Sequence, residues 1–162
     1  LLFGTRKSGL LAAQRHPSGE IELDFPAKLA APCAPPPGLL DALGTEAVAV
    51  GRNEFDYLVE LASAADVRAL SPDFAALARA ECRGVIVTAR AGDGRFDFVS
   101  RFFAPAVGVN EDPVTGSAHC CLAEWWGQKL GKGELTGFQA SARGGVVRVV
   151  RGGGRVGLIG RA

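Results

Sequence analysis

The chain has 162 residues, 48% of them hydrophobic and 22% charged, enough for one globular domain with a sizeable core. Its 18 basic and 17 acidic residues leave a net charge of +1, with no basic patch dense enough for nucleic acid or an anionic membrane surface. No apolar run approaches the roughly 20 residues of a membrane span, so the expected partner is a small metabolite.

Four cysteines, Cys33, Cys82, Cys120 and Cys121, form no C-x-x-C pair, and adjacent cysteines rarely bridge each other. Zinc and a disulfide framework are therefore not expected, and the thiols read as reduced in a cytoplasmic protein. The chain begins at apolar Leu1-Leu2-Phe3, contains no methionine and stops at Gly160-Arg161-Ala162. Natural termini are more often polar, so the sequence reads as a piece of a longer polypeptide.

In chain order, residues 10–13 and 21–25 predict a hairpin through the turn chemistry of His16-Pro17-Ser18-Gly19. Ile21, Leu23 and Phe25 alternate with Glu22 and Asp24, as in a half-buried strand. Ala34-Pro35-Pro36-Pro37-Gly38 then suits neither helix nor strand and reads as a linker. A short helix over 39–43 precedes strands at 46–50 and 55–61, turning at 51–53. Helices follow at 64–70 and 72–80, the second with Ser71 as its cap and Pro72 in its first turn. Strands at 84–89 and 96–103 flank the turn Gly92-Asp93-Gly94. The strongest helix spans 115–130, and a glycine-rich hairpin at 145–150 and 156–159 closes the chain. This mixture predicts an α+β fold.

One segment carries chemistry. After Pro105, the loop Gly108-Val109-Asn110-Glu111-Asp112-Pro113-Val114 leads into Thr115-Gly116-Ser117, which open the strong helix. Ala118, Cys121, Leu122, Trp125 and Trp126 share its predicted apolar face. The first N–H groups of a helix lack internal partners, and the helix dipole adds partial positive charge there. Gly116 lets a ligand approach the backbone, and Ser117 adds a hydroxyl donor. Together they suit a substrate carboxylate or a developing enolate. Asp112, just ahead of these donors, is placed to orient a substrate amino group or exchange a proton. Glu111 faces the other way, because neighbours in extended chain alternate. Asp or Thr ahead of a helix is also what an ordinary cap looks like, so these residues alone leave both readings open.

The run Glu-Asp-Pro-Val-Thr-Gly-Ser-Ala-His at 111–119 resembles the signature of PhzF-like phenazine-biosynthesis proteins, a branch of the diaminopimelate-epimerase-like fold. Ser100-Arg101-Phe102-Phe103-Ala104-Pro105 before it, the tryptophan pair after it, and Gln139-Ala140-Ser141-Ala142-Arg143-Gly144-Gly145 extend the resemblance. Upstream, Ser8-Gly9-Leu10 and Ile21-Glu22-Leu23-Asp24-Phe25-Pro26 resemble the family's mid-chain crossing. The resemblance implies two similar halves, each a sheet around a central helix, with the active site between them. It implies proton transfer without metal or coenzyme, on a dihydro-hydroxyanthranilate in the phenazine enzyme, using a glutamate from the first half. This chain is then the C-terminal half. Residues 1–26 border the missing N-terminal half, 27–38 link, and 39–162 form the C-terminal domain. Asp112 is the expected catalytic residue, and Thr115, Gly116, Ser117 and His119 are expected to bind substrate.

The remaining candidates have plainer readings. Cys120 and Cys121 point about 100° apart on a helix and cannot face each other across a substrate; Cys121 reads as core. His119, near a helix N-terminus, is expected to be neutral, as a ligand or a structural hydrogen-bonding group. The tryptophans read as packing, and Gly152-Gly153-Gly154 as a hairpin connection. Arg101 and Arg143 suit a carboxylate or a solvated surface equally, and His16 has no partner nearby in sequence. The expected function is a cofactor-independent isomerase acting on a small amino- or hydroxy-acid. An inactive anion-binding or interaction protein of the same fold is the alternative. Surface left bare by a missing half would invite self-association into a homodimer.

Overall fold

A computed structural model describes residues 2–5 and 9–161, with side chains from residue 12 onward. Leu1, Ser8 and Ala162, which figure in the sequence reading, lie outside the described residues. The chain opens with strands β1 (Leu2–Thr5), β2 (Gly9–Arg15), β3 (Ile21–Pro26) and the short β4 (Ala31–Pro32). Helix α1 (Leu39–Leu43), strands β5 (Ala49–Arg52) and β6 (Asp56–Glu60), and helices α2 (Ala64–Ala69) and α3 (Phe74–Leu77) follow. Then come β7 (Gly84–Arg90), β8 (Phe98–Phe103), the long helix α4 (Gly116–Leu130), β9 (Glu134–Gln139), β10 (Gly145–Gly152) and β11 (Arg155–Gly160).

All the strands among the described residues join one mixed sheet in the order β1-β2-β3-β11-β10-β9-β8-β7-β6-β5-β4. Pairing is antiparallel except at β6–β7 and β8–β9. β3 pairs along its length with β11, so residues near the two ends of the described chain lie side by side. Residues 27–30 then carry the chain from that region to the far edge, passing α4 where the Lys28 amide donates to the Cys120 carbonyl.

The two faces of the central strands are both covered, which explains their unbroken apolar runs. In β7, Val85, Val87 and Ala89 pack with Leu39, Leu43, Val67 and Leu77 of α1–α3. Ile86, between them in sequence, faces α4 together with Leu58, Phe98, Leu135, Val149 and Val156. Strands from β6 to β11 thus touch the same helix, and the sheet curls around it.

That curl changes the reading of α4. The spacing predicts one apolar face, but His119, Cys120, Ala123, Glu124 and Gly127 are buried as well as Ala118, Cys121, Leu122 and Trp126. Glu124, hidden this way, is paired, since Arg151 donates to it at 2.7 Å, whereas His119 is paired at Nδ1 alone and its buried Nε2 has no partner among the described residues. Gly127 leaves room for that arginine, since a Cβ there would run into its Cδ. The tryptophans do more than pack. Trp125 Nε1 donates to Glu60 at 2.7 Å and Trp126 Nε1 to Thr88 at 3.0 Å, which ties α4 to β6 and β7.

Other local readings shift. The cap of α3 is Asp73, whose carboxylate accepts from the Ala76 amide at 2.9 Å, and the helix is only one turn long. Pro72 therefore precedes the cap instead of opening the helix. The turn between β5 and β6 lies later than predicted, because Asn53 Oδ1 accepts from both the Phe55 and Asp56 amides. His16 does have a partner: its Nε2 lies 2.8 Å from Glu22 Oε2 across the β2–β3 hairpin.

Candidate active site

The loop that carries Asp112 is tied down at both ends. Pro105–Val107 make a 3-10 turn ended by Gly108 at φ 84°, which lets Val109 bridge back to Ala104. The Asp112 amide donates to the Phe102 carbonyl at 3.0 Å. Glu111 and Asp112 then diverge. Glu111 accepts a two-pronged ion pair from Arg101 at 2.7 and 2.9 Å, and Arg101 also donates to the Leu70 carbonyl at 2.7 Å. This consumes Arg101, so its charge serves the loop. Asp112 turns towards the helix, where its Oδ2 accepts the Thr115 hydroxyl. No partner to its Oδ1 is present among the described residues.

Gln139, at the end of β9 and fully buried, organises this junction. Its Oε1 accepts from the Thr115 amide at 2.8 Å, while its Nε2 donates to the Asp112 carbonyl at 2.7 Å and to Thr115 Oγ1 at 3.2 Å. Thr115 therefore occupies the N-cap position of α4 without capping it: its hydroxyl is spent on Asp112. The first-turn N–H groups of Gly116 and Ser117 stay without an intrahelical acceptor, beside a carboxylate held at a fixed position.

Ser117 Oγ accepts from Arg83 Nη2 at 3.0 Å, and Arg83 is itself clasped by the buried Asp56. His119 is fully buried one turn into α4, where its Nδ1 donates to the Thr115 carbonyl at 2.8 Å. Burial pushes its pKa down to about 4, against a smaller opposing effect of that hydrogen bond, so the ring is neutral. The same cause, desolvation, raises Cys120 to about 12 and Cys121 to about 11, which keeps both thiols protonated.

Gly116 also lines an open groove of about 610 Å³ that runs over β3, β10 and β11, with Leu23, Val114, Val146 and Ile159 in its wall and Arg143 at its rim. Ile21, Leu23 and Val146 are 36–51% exposed there, an unusual showing of large apolar groups on a sheet face. Among the described residues no group of three or more His, Cys, Asp or Glu side chains is placed to hold a metal ion, and no helix is long and apolar enough to cross a membrane.

Residues 39–162 match the family described as phenazine biosynthesis-like protein, PhzC-PhzF. The chain belongs to this family. An uncharacterized isomerase of Pseudomonas aeruginosa is 51% identical over 162 residues, covering 100% of this chain and 61% of the relative. An uncharacterized isomerase of Halalkalibacterium halodurans is 48% identical over 158 residues, covering 96% of this chain and 59% of the relative. The crystal structure of a PhzF-family phenazine biosynthesis protein from Enterococcus faecalis superposes with a TM-score of 0.91 at 36% identity, over 99% of this chain and 60% of that one. The chain thus spans about three-fifths of the length of these relatives. The fold is the α+β, diaminopimelate-epimerase-like arrangement that the signature implies.

Within this PhzF-like chain, Asp112, Thr115, Gly116 and Ser117 come together at the start of α4. His119 stands behind them, touching the site through the Thr115 carbonyl and showing no surface of its own. Sequence reasoning passed over Gln139, Arg83 and Asp56. Gln139 stood inside a quoted family run, and its burial and its place at the end of β9 are seen only in the structure. Arg83 and Asp56 lie 34 and 61 positions before Ser117, and only the parallel pairing of β6 and β7 brings them there.

Proposed function

We propose that this chain supplies one wall of the active site of a cofactor-independent isomerase, which moves a proton on a small amino- or hydroxy-carboxylic acid. The observation that carries the reading is the uncapped start of α4 beside a fixed carboxylate: Thr115 gives its hydroxyl to Asp112 and leaves the Gly116 and Ser117 amides free. Those amides and the Ser117 hydroxyl hold the substrate carboxylate and gather the negative charge that develops when the neighbouring carbon loses its proton. Asp112, with one oxygen anchored and the other free, orients the substrate amino group and exchanges a proton. His119 acts through the Thr115 carbonyl, keeping the helix start in register.

The other wall, with its glutamate, belongs to the missing N-terminal half, which sits over the apolar groove beside Gly116 and covers Ile21, Leu23 and Val146. The four free cysteines support a reducing, cytoplasmic setting. Isomerase relatives that match across nearly the whole of this chain support the reaction class.

The test uses the full-length polypeptide in deuterium oxide with dihydro-hydroxyanthranilate, diaminopimelate and lactate. Deuterium enters the carbon skeleton of at least one acid, and Asp112→Asn abolishes this while the thermal midpoint stays nearly unchanged. An Asp112→Asn protein that exchanges as fast as the wild type removes Asp112 from the mechanism. A wild-type protein that incorporates no deuterium into any of the three acids would favour the inactive anion-binding or interaction-protein alternative.

A further inference from the structure

Arg83 sits in a built environment. Its amide donates to the Phe55 carbonyl at 2.8 Å, and its guanidinium lies 5.2 Å from the Phe55 ring centroid and 5.7 Å from that of Phe102. Gly84 makes the second approach possible, because a Cβ there would collide with the Phe102 ring. Nε donates to Asp56 Oδ1 at 2.9 Å and Nη2 to Asp56 Oδ2, with Asp56 only 1% exposed. From this held position Nη2 also donates to Ser117 Oγ at 3.0 Å.

Asp56 is buried while the Arg83 side chain is 36% exposed, and such a pair contributes little net stability, since desolvation of the carboxylate and solvent screening of the guanidinium cancel most of the attraction. Its geometry has a consequence for Ser117. A guanidinium carries donors and no acceptor, so the serine oxygen must accept from it. The single hydroxyl proton is thereby turned away from Arg83, whereas an unheld serine hydroxyl rotates freely. We infer that the Asp56–Arg83 pair is a positioning device that aims the Ser117 hydroxyl proton at the substrate carboxylate. The inference rests on the anion site proposed above and deepens it. It makes Arg83 and Asp56 determinants of affinity for acids although neither needs to touch the substrate.

The experiment measures dissociation constants of the full-length polypeptide for dihydro-hydroxyanthranilate, diaminopimelate and lactate by calorimetric titration. Arg83→Lys and Asp56→Asn are each made alone and in a Ser117→Ala background. Lysine keeps a charge beside Asp56 but cannot present the planar fork that serves both partners, so the fold is retained and the aim is lost. Each single variant weakens binding about five-fold, the scale of one ordinary hydrogen bond, and neither weakens it further once Ser117 is alanine. A purely structural pair would lower affinity by the same factor with or without the hydroxyl, and that result overturns the inference. So does an Arg83→Lys protein that binds like the wild type. Should Asp56→Asn not fold, Arg83→Lys decides alone. A wild type that binds none of the three acids removes the anion site itself and this inference with it; a wild type that binds, with additive double variants, removes only the positioning role.

Discussion

Gln139 holds Asp112 through the backbone and not through the carboxylate: its Nε2 donates to the Asp112 carbonyl at 2.7 Å while the Asp112 side chain stays turned to Thr115. The arrangement separates two tasks. Gln139, on β9, fixes where the loop enters the helix, and Thr115 fixes which way one carboxylate oxygen points. A single amide thus couples the central sheet to the start of α4, and the second carboxylate oxygen of Asp112 keeps no partner among the described residues.

That division predicts a pH-dependent defect in Gln139→Glu. A protonated glutamate still donates to the Asp112 carbonyl and accepts from the Thr115 amide. Once ionised it places an acceptor against an acceptor, so its folded pKa is raised above the ordinary value of about 4.3. Stability is then retained below that value and lost as pH rises through the folded pKa. Urea unfolding of the variant should show a deficit on the order of 2 kcal/mol at pH 8 that shrinks at pH 4.5, relative to wild type under each condition. A deficit independent of pH would mean that the Nε2 bond is dispensable.

His119 predicts the opposite trend in the wild type. Its folded pKa, about 4, lies below the ordinary 6.5 because burial disfavours the cation. The stability it contributes is complete above pH 6.5 and is lost as pH falls towards 4. Each pH unit inside this window is worth up to about 1.4 kcal/mol. Unfolding free energies at pH 7 and 5 should therefore differ by about 2 kcal/mol in the wild type and by much less in His119→Gln, whose amide does not titrate in that range. Parallel curves for the two proteins would show that His119 is not the group responsible.

How far the sequence led depends on whether a pattern was local. The loop-to-helix segment at 111–119 was legible because its residues are consecutive, and both Asp112 and the helix start are read within one stretch. The hairpin of β10 and β11 was legible for the same reason, with Gly153 and Gly154 at positive φ supplying the turn. β9 was passed over because Gly137 interrupts its apolar pattern. In the structure that glycine makes room for the Phe98 ring, which leaves no space for a Cβ. The full burial of α4 was hidden for a different reason. Cys120, Ala123 and Gly127 look like a neutral helix side until a sheet curls over them, and the periodicity of one helix carries no information about how far its partner wraps.

The paired thiols give a third prediction. Cys120 and Cys121 are both buried, and desolvation holds them at about 12 and about 11, so neither furnishes a thiolate near neutrality. Replacing either with alanine should cost about 1 kcal/mol through lost packing, and deuterium incorporation by the full-length protein should continue. Iodoacetamide at pH 7.5 should likewise leave the rate intact. An inactive Cys121→Ala protein of wild-type thermal midpoint would restore a thiol mechanism.

The last prediction concerns Gly145, at the start of β10. A Cβ there would run directly into Val114 Cγ2, and Val114 belongs to the five-residue stretch from Glu111 to Thr115 that sets the Asp112 geometry. The neighbouring turn is fastened to the same loop, since Ser141 Oγ donates to the Pro113 carbonyl at 2.7 Å and accepts from the Gly144 amide at 3.1 Å. Gly145→Ala should therefore push the loop away from the sheet and cost about 1–3 kcal/mol as overpacking does. Activity should fall further than stability explains, because a displacement of this order disturbs a reacting geometry. Val114→Ala introduced alongside it should restore both, since the collision needs the valine methyl. Measured as a double-variant cycle of unfolding free energy and deuterium incorporation, the pair should couple strongly. Additive losses would mean that Gly145 is required for its own backbone conformation and that the Asp112 loop is not held from this side.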